Sequence, residues 1–346
     1  MNSKPVQRIT INDVAQAAGV SVTTVSHALN GRGQVDHRTR ERVEQVARQL
    51  GYRPNRHAQR LRTGEAHMIA LVSSMPFAVA GGPSRLGFLM EIAAVAAGAA
   101  LTRGMALVLV PPAESGITRL DALDVDAALV VEPSAKDPSV EQFLRRGLPV
   151  VTIGRQAGAR SPVPYVDLRS ADTTSLMLEH LLAQGARRIA LLIGSERRNS
   201  YLEAEEVYRA LAAKRRMPCR IAQADEAAGE HGGWRATMDL LAQDPKIDAL
   251  CVPVDAFAVG AVRALADSGR RVPQDVAVIT RYDGLRARTC EPPLSAVNLH
   301  LEQTAQQAVE LLLDHLRGQT LDRVRSGPVP TLVARASTAR RGRQSA

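Results

Sequence analysis

Aromatic residues make up only 3% of this 346-residue chain, with a single tryptophan. Ala, Val and Leu must therefore fill the cores that a chain 45% hydrophobic can bury. Runs of membrane length are missing: Ile92 to Leu101 comes nearest, and it is short, Ala-rich and followed by Arg103, which excludes a spanning helix. Cysteine is scarce too. Cys219, Cys251 and Cys290 lie far apart with no Cys or His at zinc spacing, so buried reduced thiols are expected rather than a disulfide or a metal site. No apolar core or small-residue cleavage pattern precedes Asp13, which leads us to expect a cytoplasmic protein. Catalytic signatures are absent as well. There is no G-x-G-x-x-G after a strand, no G-x-S-x-G, no H-E-x-x-H and no P-loop, and the segment from Gly81 to Gly87 lacks the glycine spacing for one. No enzyme activity and no cofactor are expected.

What is present is charge, unevenly placed. The net +9 divides into +6 over residues 1–65, where eleven Lys/Arg face five acids, and +4 over 335–346, leaving about −1 for the long middle. A basic N-terminal region calls for a polyanion partner, because neutralised phosphates supply most sequence-independent DNA affinity. The C-terminal arginines read as a disordered basic tail over 339–346.

The N-terminal region has the layout of a helix-turn-helix. Asn12 is placed to cap a helix with Val14, Ala15 and Ala18 at helical spacing, and Gly19 supplies the left-handed residue of a sharp turn. Ser21 caps a second helix, with Val22, Val25 and Leu29 near one side and Thr23, Thr24, Ser26 and His27 over the rest. Hydroxyls and an imidazole at a helix N-terminus suit the base edges of a major groove. An ordinary pair of amphipathic helices would show the same pattern. A third amphipathic helix begins near Arg38, with Val43, Val46, Ala47 and Leu50 inward and Gly51 as its stop.

Taken in order, DVAQAAGVSVTTVSHALNG, then TRERVEQVARQLGYRPNRHAQRLRTG, resembles the headpiece and hinge of the LacI/GalR (lac-repressor) family of bacterial transcription factors. The resemblance runs almost without gaps from Ile9 to Gly64. It implies a small all-α headpiece over 8–53, a hinge over 54–65 and an effector body over 66–338. It also implies a homodimer on near-palindromic operator DNA, acting as a repressor at the nucleoid. The residues expected on DNA are Thr10, Ser21, Val22, Thr23, Thr24, Ser26, His27 and Asn30, then Tyr52. In the hinge they are Asn55, Arg56, Ala58, Leu61 and Arg62. A hinge this short is marginal as an isolated helix, and a flexible basic linker is the alternative. In the family it folds when two subunits meet over the operator, and a leucine at the position of Leu61 wedges into the minor groove.

From Met68 onward, apolar strands alternate with helical stretches: MIALVSS, ALVLVPP, DAALVVE, LPVVTIG, RRIALLIG, DALCVPV, DVAVIT and SAVNL. Continuous Val/Ile/Leu runs bounded by turn residues predict parallel strands covered on both faces, hence a doubly wound α/β body. Pro162-Val163-Pro164 separates two groups of strands. The family body resembles the periplasmic sugar-binding proteins and crosses between its lobes three times. This implies one lobe of about 68–164 and 294–324 and another of about 165–291 and 325–338.

Ligands in such sheets bind beyond the carboxyl ends of the strands. The candidates there are Ser74, Phe77, Arg85, Glu132, Arg155, Asn199, Tyr201, Asp255, Tyr282 and Asp283, facing a small-molecule effector. Several depart from the family's sugar-binding pattern. Acids fill Leu202 to Tyr208 where an arginine is usual, Val254-Asp255 replaces Asn-Asp, and Thr280-Arg281-Tyr282-Asp283 replaces Gly-Phe-Asp-Asp. A sugar effector is thereby put in question, and Arg85, Arg155 and Arg281 would suit an anionic or carboxylate ligand, although structural ion pairs explain them equally. Two other classes stay open on the body alone: a periplasmic-type binding protein without a DNA role, and an α/β enzyme.

Overall fold

The structure is a computed structural model that describes residues 9–30, 33–52, 65–80, 87–111, 120–158, 163–319 and 323–339. It forms two compact units, residues 1–66 and 67–346. Among the described residues no helix is long and apolar enough to cross a membrane, and no group of three His, Cys, Asp or Glu could hold a metal ion.

The first unit contains α1 (Ile11–Ala18), α2 (Val22–Leu29) and α3 (His37–Gln49). Thr10, not Asn12, caps α1, because the Asp13 carboxylate three residues on accepts both the Thr10 N–H and its hydroxyl at 2.7 Å. Asn12 lies inside the first turn, exposed. Gly19 closes α1 at φ 64°, ψ 37°, and its N–H reaches the Ala15 and Gln16 carbonyls. Ser21 caps α2 by accepting the Thr24 N–H at 3.0 Å, and Asp36 caps α3 through Thr39 at 3.0 Å. Val14, Ala15, Ala18, Val25, Ala28, Val43 and Ala47 form the core. Leu50 departs from the periodic reading: at the C-cap it is 37% exposed, because the helix ends before the residue completes its inward turn.

The second unit is built on two parallel sheets, as the apolar runs predict. The first holds β1 (Met68–Ser73), β2 (Ala106–Val110), β3 (Ala127–Val131), β4 (Val150–Ile153), β5 (Tyr165–Asp167) and β11 (Val324–Ser326), in the order β11-β5-β4-β3-β1-β2. The second holds β6 (Ile189–Gly194), β7 (Ile221–Ala224), β8 (Ala249–Val252) and β9 (Ala277–Thr280), in the order β7-β6-β8-β9. A short antiparallel pair, β10 (Ala296–Asn298) with β12 (Thr331–Val333), lies beside β9. β3, β4, β6, β8 and β9 are buried along their whole length, which is why they read as unbroken apolar runs.

Helices cover the sheets. The short α4 (Phe77–Ala80) follows β1 in the chain but packs against residues 226–243 and 255–267 of the second lobe, while α5 (Phe88–Leu101), α6 (Pro138–Arg145) and α12 (Leu301–Leu316) lie on the first sheet. With the second go α7 (Ser170–Ala183), α8 (Asn199–Arg215), α9 (Gly229–Gln243), α10 (Asp255–Asp267) and α11 (Leu285–Thr289). α9 and α10 approach to backbone contact: a Cβ on Gly260 would lie 1.9 Å from the Glu230 carbonyl oxygen, and one on Gly233 2.4 Å from the Phe257 backbone.

The chain passes between the sheets three times, after β5, before α12 and after β11. The observed crossings differ from the implied boundaries by a few residues. Tyr165–Asp167 belongs to the first sheet, because the Pro164 carbonyl accepts the Thr152 N–H at 2.9 Å. Pro164 thus leads into a strand paired on both sides, by β4 and β11, rather than ending the lobe. Ser295 to Asn298 sits with the second sheet, and Val324–Ser326 with the first. Two crossings share one corner. Asp167 accepts the Arg169 N–H at 2.9 Å and Asn298 the His300 N–H at 2.8 Å. Arg169 and His300 each take φ 50° immediately before a helix. All three cysteines are free, but only Cys251 is fully buried, its thiol pushed up to about 12 by burial. Cys219 is exposed in the turn before β7, which departs from the expected buried thiol.

Candidate functional site

Two surfaces gather the predicted residues. On the first unit, α2 presents Val22, 41% exposed, with Ser21 and Thr23 also exposed. The helix phase explains this: Val25 and Ala28 take the buried positions, turning residues 22 and 23 outward. Ser26 and His27 are half-buried beside them. Other members of the predicted set also serve the fold. Thr10 and Ser21 are caps, and the Thr24 hydroxyl shares a 2.8 Å hydrogen bond with that of Ser21. Asn30 donates through its amide to the Ser26 carbonyl at 2.6 Å. Tyr52 packs against the headpiece core, and burial raises its phenol pKa. Gly33 was not anticipated: a Cβ there would lie 2.6 Å from His27 Nδ1, so the bare backbone supports the imidazole. Asn55, Arg56, Ala58, Leu61 and Arg62 lie outside the described residues.

The second surface is the cleft between the two sheets, at the carboxyl ends of their strands. Glu132 closes β3 and is 2% exposed, with φ 50°, a conformation that costs a non-glycine residue roughly 1–3 kcal/mol. Its carboxylate spans to the other lobe, accepting Arg281 at 2.6 Å through one oxygen and the Ser200 hydroxyl at 2.8 Å through the other. Arg198, 1% exposed, runs beneath it. This guanidinium donates to the Glu132 and Ser74 carbonyls in the first lobe, the latter at 2.9 Å. It also makes a two-pronged pair with Glu226 at 2.8 and 2.7 Å. Burial disfavours its charge, but Glu226 more than offsets this and holds it protonated. Tyr201 donates to the same Glu226 at 2.7 Å. Its phenol pKa is driven well up, first by burial and then by that carboxylate.

Further contacts join the lobes around this centre. The Tyr282 hydroxyl donates to Glu91 at 2.6 Å, and burial together with Glu91 raises its pKa strongly. The Tyr282 ring meets Phe88 edge-on at 5.4 Å. Arg286 donates to the Ala78 and Val79 carbonyls at 2.6 and 3.0 Å and approaches Asp255 at 3.3 Å. Burial raises the pKa of Asp255, against the pull of Arg286. A cavity of about 210 Å³ lies alongside, lined in part by Glu91, Tyr282, Asp283, His300 and Glu302.

Glu132, Tyr201, Asp255 and Tyr282 therefore come together in the cleft, each already bonded. Ser74 stands there too, its hydroxyl donating to buried Asp137. Asp283 is tied to Arg335 at 2.6 Å and to Arg288 at 3.3 Å. Asn199 donates to Glu203 at 2.7 Å, and Arg155 is exposed, near enough to act on the Glu203 charge. Phe77 opens α4, half-buried, and Arg85 lies outside the described residues. Sequence reading missed Arg198, Glu226, Arg286 and Asp137. Only the last left a signal, Asp-Pro-Ser, in which Asp137 caps α6 through the Ser139 and Val140 N–H groups at 3.0 and 3.1 Å.

Residues 10–55 match the model for bacterial regulatory proteins of the lacI family, and 178–338 that for a periplasmic binding protein-like domain. The HTH-type transcriptional regulator CelR of Thermobifida fusca is 33% identical over 334 residues, covering 92% of this chain and 95% of its own. The lactose operon repressor of Escherichia coli (strain K12) is 29% identical, over 95% and 91%. Among solved structures, a CelR–cellobiose complex superposes with a TM-score of 0.69 at 30% identity, covering 95% of this chain and all of that one. The lac repressor dimer bound to operator and the anti-inducer ONPF gives 0.75 at 27%, over 96% and 99%.

Proposed function

The chain belongs to the lacI family of bacterial regulatory proteins, and from that premise we propose a homodimeric, cytoplasmic, nucleoid-associated repressor whose operator affinity is set by a small effector in the interlobe cleft. The observation that carries the DNA half is the outward face of α2. Val22 and Thr23 open this helix and His27 stands in its last turn, on a helix braced by the Ser21 cap and the Gly19 turn. In this reading those three meet base edges, while Thr10, Ser21, Thr24, Ser26, Asn30 and Tyr52 fix the helix and its approach. Asn55, Arg56, Ala58, Leu61 and Arg62 complete the contact, with Leu61 as the minor-groove wedge that two subunits form together.

The effector half rests on the cleft. Only a ligand with different affinity for two arrangements of the lobes can shift their balance. Groups that bind each lobe to the other are where such a difference arises. Ser74, Glu132 and Tyr282 are such groups, and Tyr201 and Asp255 act on them from within the second lobe through Glu226 and Arg286, with Phe77, Arg85, Arg155, Asn199 and Asp283 at the margins. No catalytic role is part of this reading. The body runs over 66–338 and is preceded by headpiece and hinge. Selection of full-length protein against randomised duplex DNA tests the proposal. Enrichment of an inverted repeat is expected; enrichment of unpaired half-sites, or of nothing, would overturn it.

A further inference from the structure

In most binding clefts, buried donors wait for a ligand's oxygens. Here the chain supplies one itself: the Glu132 carboxylate reaches from the end of β3 into the second lobe and occupies Arg281 and Ser200. It serves them incompletely. Only one terminal nitrogen of Arg281 meets it, while Arg281 Nε is buried with no hydrogen-bond partner, on a side chain 6% exposed. Thr280, the residue before it in sequence, also has a hydroxyl without a partner and no exposure at all. Buried polar atoms in a native interior are almost always paired, which leaves the Arg281 Nε able to take an acceptor. A carboxylate seated on both Nε and a terminal nitrogen would satisfy the guanidinium in its preferred two-pronged geometry, which Glu132 does not achieve from its tether. The Phe88 ring, whose centroid lies 6.0 Å from the Arg281 guanidinium carbon, walls the site against water and makes the pairing more valuable.

We propose that Glu132 is a built-in stand-in ligand, and that the effector of this cleft carries a carboxylate that displaces it from Arg281 and Ser200. The proposal deepens the effector half of the function given above and rests on it.

The test removes the tethered carboxylate and returns it as a free one. Full-length wild type, Glu132→Ala and Glu132→Ala/Arg281→Met are followed by thermal denaturation in sodium formate and in sodium chloride of equal ionic strength. Glu132→Ala should lose several degrees in Tm, and formate should restore most of that loss saturably while chloride does not. Wild type, whose own carboxylate is in place, and the double variant, which has no guanidinium, should not respond. Formate stabilisation that is equal in the double variant, or equal to that from chloride, overturns the proposal. Where Glu132→Ala fails to fold, Glu132→Gln replaces it, read by small-angle scattering: an expanded body supports a closing role for the carboxylate, and unchanged dimensions refute it. Selection of an inverted repeat by the same wild-type preparation reports on operator recognition separately. Failure of the carboxylate site then stays distinct from failure of the regulatory reading.

Discussion

The headpiece and the body treat polar side chains in opposite ways. On α2 the groups with recognition chemistry stand outward, and the hydrogen bonds around them are local caps spanning three or four residues. In the cleft they are buried and bonded over long sequence separations, Glu132 to Arg281 and Glu91 to Tyr282 among them. A reader of DNA keeps its chemistry exposed because the partner is always the same polymer. In the cleft the same kinds of group are already spent on one another, so a ligand bound there in the way proposed would exchange one set of bonds for another.

The comparison breaks most visibly at Arg198. Replacing it with Met leaves Glu226 buried without its partner and strips the Ser74 and Glu132 carbonyls of a donor. We expect a loss of about 3–5 kcal/mol in body stability, measured by urea denaturation. Adding Glu226→Gln should recover part of it. No recovery would show that the backbone contacts, not the ion pair, carry the cost.

Smaller effects follow on the DNA side. Thr23→Ala and His27→Ala should each relax operator preference by about 1–3 kcal/mol, roughly 5- to 150-fold between cognate and altered half-sites. Headpiece stability should be unchanged, and a uniform weakening on all sequences would reassign these residues to the phosphate backbone. Ser21→Ala acts on the scaffold instead, costing about 1 kcal/mol of headpiece stability through the lost cap. It should affect every DNA sequence alike.

The mildest test concerns pH in the body. His180 bonds the Thr338 hydroxyl at 2.7 Å, and burial lowers its pKa below the usual 6.5. The unfolded chain therefore takes up the proton first as pH falls. The His180 contribution is fully present above about pH 6.5 and is lost as pH drops through the lower folded value. His180→Gln should flatten the pH dependence of Tm across that window, and an unaltered slope would place the titration elsewhere.

The same contrast explains what the sequence disclosed. Headpiece architecture was legible because the positions of Val14, Val25 and Val43, the turn at Gly19 and the cap at Ser21 are short-range facts written in helical periodicity. Buried strands such as Ile189–Gly194 were legible as unbroken apolar runs. The three-residue strands Tyr165–Asp167, Val324–Ser326 and Thr331–Val333 were not, since three residues carry no period and their pairing is fixed by distant neighbours. In the cleft, Glu132 and Tyr282 were found from the strand-end rule. Arg198 was not, because a fully buried arginine in Ser-Glu-Arg-Arg-Asn looks like a solvated one until its partner, 28 residues away, is brought beside it.

The bare backbone contact between α9 and α10 has a genetic consequence. At Gly233 and Gly260 the smallest possible side chain, one methyl group, would sit inside a neighbouring main chain, so the two helices must part or the lobe must misfold. A forward screen for loss of regulation would recover alleles at these two codons that touch neither DNA nor ligand. Their phenotype would be relieved by low growth temperature or by second-site stabilisers, and not by a change of operator or effector.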